Sequence, residues 1–216
     1  MIGHPAQSAF SLAIIGAGGH ARVVMEAALR AGYPILGLID RDPALHGITI
    51  GGHPVLGGDE EIERLGPEAV LLANGIGVRP TRSDPGTGLR ARIHAQFVAA
   101  GHRFPPIIDP TATIAREVLF ADGAQVMAAA VIQPRSSLGV GAVVNTRVSV
   151  DHDCAIGDHA FVSPGVVLCG GVTIGPRAFV GAGAIVLPGA EIGEAAVVQA
   201  GAVLGGVVPA GGFFGR

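Results

Sequence analysis

Lysine and tryptophan are absent, tyrosine occurs once, and aromatics make up only 4% of the 216 residues. All 14 cationic side chains are therefore arginine, which excludes chemistry that needs a lysine nucleophile or Schiff base. Charge is scarce, at 14% against a usual ~25%. The formal net charge is −3 and no basic run occurs, so the electrostatic footprint of a nucleic-acid binder is missing. Two cysteines, Cys154 and Cys169, are too few for a disulfide framework or a four-ligand zinc site. The opening stretch MIGHPAQSAFSLAII lacks the basic and long apolar regions of a signal peptide, and Gly and Pro interrupt every long uncharged run. A soluble, cytoplasmic chain with no membrane span is the expectation.

Glycine, by contrast, is abundant at 35 residues, and 49% of the chain is hydrophobic, which excludes disorder. A core without large rings must be built from Val, Ile, Leu and Ala, a composition suited to thin, repetitive packing. The length allows one or two domains.

The first 107 residues read as βαβ units. A short apolar run from Leu12 leads into the turn Gly16-Ala17-Gly18-Gly19-His20 and then an amphipathic helix, which Gly32 ends at C′. Further strands are expected at Ile35–Ile39 and Ala69–Ala73, a helix-like DEEIERL before the latter, and another helix at about Leu89–Ala100. This alternation predicts a small Rossmann-like α/β domain with perhaps four strands, about half of a full dinucleotide fold. Gly16-x-Gly18-x-x-Ala21 sets bare backbone and a helix N-terminus against a phosphate, with Gly19 and His20 in the first turn. Asp40, at the end of the second strand, is placed to bind ribose hydroxyls. Ligands of open parallel sheets sit at the carboxyl ends of the strands, so Arg41, Asn74 and Gly75 are expected at the same mouth. Arg79, Arg82 and Asp84 are as well explained by surface roles.

From Ile108 the period changes to six. Seventeen positions, from Ile108 to Leu204 at intervals of six, are all apolar, and four residues after each stands Ala, Val, Ser or Cys, from Ala112 to Val208. Such a repeat predicts residues 108–216 to be an all-β parallel β-helix of five to six triangular coils. The large aliphatic fills the interior and the small residue fits the corner. Asp151-His152-Asp153-Cys154 is a polar insertion at one turn of this apolar coil.

Ile14–Val24 (IIGAGGHARVV), Leu38–Asp40 (LID) and Val144–Gly175 together resemble the nucleotide-sugar acetyltransferases of the sialic-acid O-acetyltransferase and bacillosamine or perosamine N-acetyltransferase group. The resemblance covers nearly the whole chain. It implies a left-handed β-helix, a homotrimer, acetyl-CoA in the groove between neighbouring helices, and a nucleotide-linked amino sugar reaching in from the N-terminal domain. It further implies His152 as general base with Asp153 (or Asp151) holding its tautomer, the chemistry that direct acetyl transfer to an amine or hydroxyl requires. Cofactor contacts are implied at His159, Phe161, Gly170, Gly171, Ala182 and Ala200, with the Gly170 or Gly171 N–H as a candidate oxyanion donor. Phe161 stands where the bacillosamine enzyme has a cofactor-contacting histidine, and the Val208-Pro209-Ala210-Gly211 turn is not followed by the family's Gly-x-Pro-Ala segment. With no histidine beyond residue 102 other than His152 and His159, no metal is expected. The fingerprint alone also suggests a nicotinamide dehydrogenase, but the sheet is too short for a second nucleotide half. Sugar O-acetylation and a trimeric binding scaffold without activity remain the alternatives.

Overall fold

The computed structural model describes residues 10–215. Residues 1–9, where the stretch without a signal-peptide pattern begins, and residue 216 lie outside them. The chain starts with β1 (Ser11–Ile15), α1 (Gly19–Arg30), β2 (Ile35–Ile39), β3 (Thr49–Ile50), β4 (His53–Gly57), α2 (Asp59–Leu65), β5 (Val70–Asn74) and α3 (Gly88–Ala99). These strands form one sheet in the order β3-β4-β2-β1-β5, parallel throughout except for the β3–β4 hairpin. Alternate residues of β1 serve opposite faces. Leu12 and Ile14 pack with Val24, Met25 and Ala28 of α1, while Ala13 and Ile15 pack with Ile62 of α2 and Ile93 and Phe97 of α3. Gly32, at φ +88°, ends α1 as expected: its N–H donates to Leu29 O and that of Tyr33 to Ala28 O, a Schellman cap. The strands missing from the sequence reading are β3, only two residues long, and β4, HPVLG, whose proline and glycine hide a short strand that buries Val55.

The second part is a three-sided prism of two-residue strands, beginning with Ile107–Ile108. Each strand pairs in parallel with those one coil away, as Val131 with Ser149 and Ser149 with Val167, giving sheets of six, six and seven strands. The second residue of each strand points inward, so Val126, Val144, Val162, Val180 and Val198 stack as one fully buried column. Burying one such side chain contributes about 1.5–3 kcal/mol, repeated along every column. The small residue four positions on, such as Ala142, Cys154 or Ala160, lies inside the corner and is also buried. Cys154 Sγ donates to Cys169 O at 3.2 Å, in keeping with a core role.

The solenoid is longer than the six-residue period indicates. After Leu204 the turn shortens to Gly205-Gly206, and strands Val207–Val208 and Phe213–Phe214 continue the stack against Glu191–Ile192 and Val197–Val198. This two-residue deletion moves Val208 from the expected corner position to an inward strand position. The prism therefore has six full coils and one further strand.

The two parts are fastened together. Ile107 and Met127 join the core beneath α1, and Arg30 Nε lies 3.0 Å from the buried Asp109 Oδ2. Val78, in the segment after β5, covers Val143, Phe161, Phe179 and Val197 on one prism face. Thr87 donates to Arg177 O at 2.6 Å. No helix among the described residues is long and apolar enough to cross a membrane.

Candidate active site

A cavity of about 300 Å³ opens at the carboxyl ends of β1, β2 and β5, lined by Gly16, Ala17, Gly18, Asp40, Arg41 and Gly75 together with Asp59 and apolar side chains. Gly16 turns the chain at φ +98°, and Gly18 caps α1 without a side-chain hydrogen bond. The start of α1, which includes Gly19, carries no acidic residue, so its N–H groups and dipole favour an anion. Asp40 shapes this loop: Oδ2 accepts from Ala17 N at 2.8 Å and Oδ1 from Asp42 N at 2.9 Å. Arg41 is held at the rim by Asp59, its Nε donating at 3.0 Å.

Two residues expected at this mouth point elsewhere. Asn74 is buried, donating to Arg90 O at 3.0 Å and accepting from Ile76 N at 3.2 Å, so its side chain shapes the loop after β5. His20 is not part of the cavity lining. Its ring lies edge-on to Phe161 with centroids 5.4 Å apart, and burial, then the Arg90 charge, pushes its pKa down to about 3 against the opposing influence of the Gln125 side chain. Gly75 backs the cavity because a Cβ there would meet Ala21 and Ile14 at 2.8 Å.

Arg90 gave no sequence signal, yet it is the buried centre of the junction. Its guanidinium donates to Asn74 O at 3.3 Å, to Ile76 O and to Gln125 Oε1 at 3.3 Å, and lies 5.7 Å from the Phe161 ring centroid. Burial without a carboxylate partner among its hydrogen bonds lowers its pKa to about 9.

The second group of residues sits on the prism edge between strands Ser149–Val150 and Ala155–Ile156. His152 is exposed, and its Nδ1 lies 2.7 Å from Asp153 Oδ2, leaving Nε2 as the nitrogen able to take a proton. Asp151 instead accepts from the His152 backbone N–H at 2.8 Å. Of the two carboxylates, Asp153 is thus the one that orients the ring. The Asp153 carboxyl is held below its usual range by the His152 hydrogen bond first and Arg135 next. Gly170 underlies the imidazole: a Cβ there would come within 2.7 Å of His152 Cε1. Gly171 cannot serve as an oxyanion donor, because its N–H donates to His152 O at 2.9 Å.

A third element is a groove of about 570 Å³ on another prism edge, where Ala182, Ala200, Ser163, Pro164 and Gln199 face Thr81 and Arg82 of the N-terminal part. Ala182 and Ala200 thus lie together in one groove. Phe161 and His159 do not join them. Phe161 is buried at the junction, and His159 is half-buried with its ring 5.2 Å from His94. His159 stands on the edge that receives α3; its pKa is lowered, chiefly by burial and then by Arg90. Among the described residues no group of three or more His, Cys, Asp or Glu is placed to hold a metal ion.

The N-terminal part matches the PglD N-terminal domain over residues 11–84, and the solenoid matches the bacterial transferase hexapeptide (six repeats) over residues 171–206. The chain is 32% identical to a variant of perosamine N-acetyltransferase from Caulobacter crescentus, solved in complex with CoA and GDP-perosamine. That match covers 94% of this chain and 91% of the other, with a TM-score of 0.84. It is 33% identical to the acetyltransferase domain of PglB from Neisseria gonorrhoeae FA1090 in complex with acetyl coenzyme A, over 94% of both chains, at a TM-score of 0.84. WeeI from Acinetobacter baumannii AYE, at 24% identity, 95% and 97% coverage and a TM-score of 0.81, shares the fold. No curated protein matches the chain.

Proposed function

Because the chain belongs to the nucleotide-sugar acetyltransferases of the left-handed, hexapeptide-repeat β-helix superfamily, enzymes that depend on acetyl-CoA, we propose that it acetylates the amino group of a nucleotide-linked amino sugar. The observation that carries this reading is the His152–Asp153 pair, set over Gly170 on a solenoid edge. In this mechanism Nδ1–H donates to Asp153 and Nε2 takes a proton from the sugar nitrogen as that nitrogen attacks the thioester carbonyl. The C–N bond forms, the C–S bond breaks, and the imidazolium returns its proton to the departing thiolate. No acyl-enzyme is needed. The first cavity takes the nucleotide: α1 faces its phosphates and the Asp40 loop its ribose.

The His152 edge and the groove holding Ala182 and Ala200 are different edges of one prism, flanking the same sheet. That sheet turns an apolar face outward, with Val167 38%, Ile185 39% and Val203 57% exposed. A homotrimer packed through this face brings the base edge of one chain beside the cofactor groove of the next. The GDP-perosamine and CoA in the Caulobacter complex support this pair of substrates.

Release of free coenzyme A from acetyl-CoA, assayed with UDP-, GDP-, dTDP- and CMP-linked 4-amino sugars, tests the reading. Release with one of them and a product stable to mild base is expected. A base-labile ester would make the enzyme an O-acetyltransferase, and no release with any donor–acceptor pair would leave a binding scaffold. Light scattering at micromolar concentration should give a trimer mass; a monomer would overturn the shared-site arrangement.

A further inference from the structure

Asp153 is itself held. One coil below it, 18 residues earlier, Arg135 reaches up the same edge: Nε donates to Asp153 Oδ1 at 2.6 Å and Nη2 donates to the same oxygen. The carboxylate is thereby divided, with Oδ1 given to the guanidinium and Oδ2 to His152 Nδ1. We propose that Arg135 is a positioning residue for acetyl transfer, fixing the Asp153 carboxylate in the rotamer that orients the base. This inference rests on the reading of His152 as that base.

Three features support it. Asp151, the other carboxylate of the turn, is occupied by the backbone N–H of His152 and does not compete for the imidazole. Arg135 and Asp153 occupy equivalent corner positions in successive coils, both at φ +60°, with Glu117 at φ +64° in the coil before and Gly171 and Gly189 in the two coils after. The shared corner conformation stacks the two side chains one above the other along the edge, so the guanidinium reaches the carboxylate of the next coil. Finally, the pair is exposed, with Arg135 at 68%, and exposed ion pairs add little to stability. Its consequence should therefore appear in turnover. Lysine is a poor replacement, since a single ammonium lacks the planar fork that delivers two N–H groups to one oxygen.

The test is a mutant cycle on the full-length protein. Arg135→Ala should lower kcat on the order of tenfold, a typical coupling between contacting groups, with KM for both substrates and Tm unchanged. Arg135→Lys should recover part of the loss. In an Asp153→Asn background the same Arg135→Ala change should cost less than about twofold, because Arg135 acts through that carboxylate. Wild-type kcat in Arg135→Ala, or an undiminished loss in the Asp153→Asn background, overturns the proposal while leaving His152 as base. A His152→Ala variant that keeps turnover overturns the base reading itself, and this inference with it.

Discussion

The two halves of the chain use glycine for opposite purposes. At Gly18 and Gly19 an added Cβ would meet nothing within 4 Å, and Gly18 has an ordinary φ of −79°, so neither packing nor backbone shape requires glycine there. The space is left for something outside the chain. In the solenoid, Gly165, Gly183 and Gly201 are equally uncrowded but sit near φ +70°, where the corner conformation favours glycine. Gly157 and Gly175 are glycine for a third reason: the backbone of the next coil would lie 2.5–2.8 Å from a Cβ. One half presents bare backbone to a ligand, and the other spends its glycines on its own stacking. Side-chain chemistry therefore concentrates at the one strongly polar turn of the apolar repeat, residues 151–153.

The largest effect is expected at that turn. His152→Ala should lower kcat by roughly 10²–10⁴-fold with little change in KM for either substrate, the usual contribution of a positioned acid–base group. Turnover near wild type, with the fold intact by circular dichroism, would break the division of labour between the halves. Next, Leu168→Ala should cost about 2–4 kcal/mol of stability, because its neighbours above and below belong to rigid coils that cannot close over the cavity. A loss under 1 kcal/mol in denaturant unfolding would mean that the columns relax along the prism axis.

The solenoid was legible because one large aliphatic in six sets the register without help from distant contacts. It failed only where Gly205-Gly206 shortened a turn. In the α/β half, β1 and β5 announced themselves as apolar runs, whereas β4 did not. At the site, sequence fixed positions on turns but not directions. His20, Asn74, Phe161 and His159 were each expected to meet a ligand, and each faces the junction between the halves, because spacing does not reveal which prism edge receives α3. Arg135 was findable: a period of 18 puts it directly below Asp153. Arg90 was not, since α3 has almost no amphipathic periodicity and an arginine in such a helix reads as a surface residue.

That junction should also be the acid-sensitive part of the molecule. Burial holds His20 at about 3 and His94 at about 4, against ~6.5 in an unfolded chain. The unfolded chain then binds more protons between those values, so this stability is complete above pH ~6.5 and is lost as pH falls toward 4 and 3. Linkage gives about 1 kcal/mol per histidine between pH 6.5 and 5.5. The solenoid core cluster is aliphatic apart from Cys154, Phe120 and Phe214, holds no titratable histidine and should not respond. Hydrogen exchange on lowering the pH should release α3 and the 75–87 segment before the coils; uniform loss, or a flat Tm from pH 7 to 5, would contradict this.

The smallest expected change sharpens the contrast most directly. Gly18→Asp places a carboxylate at the N-cap of α1, a position where aspartate is favoured, in open space and at an unstrained φ. The fold should tolerate it, with Tm equal to or slightly above wild type. The new charge nevertheless occupies the place where the helix N-terminus would attract a phosphate, and replaces that attraction with repulsion. Calorimetry should show nucleotide-sugar affinity reduced at least on the order of tenfold, about 1.4 kcal/mol, while acetyl-CoA affinity stays the same. Unchanged sugar-nucleotide affinity would mean that the uncrowded glycines of the first half do not face the ligand's phosphates. Parallel loss of acetyl-CoA binding would mean that the two halves do not bind their substrates separately.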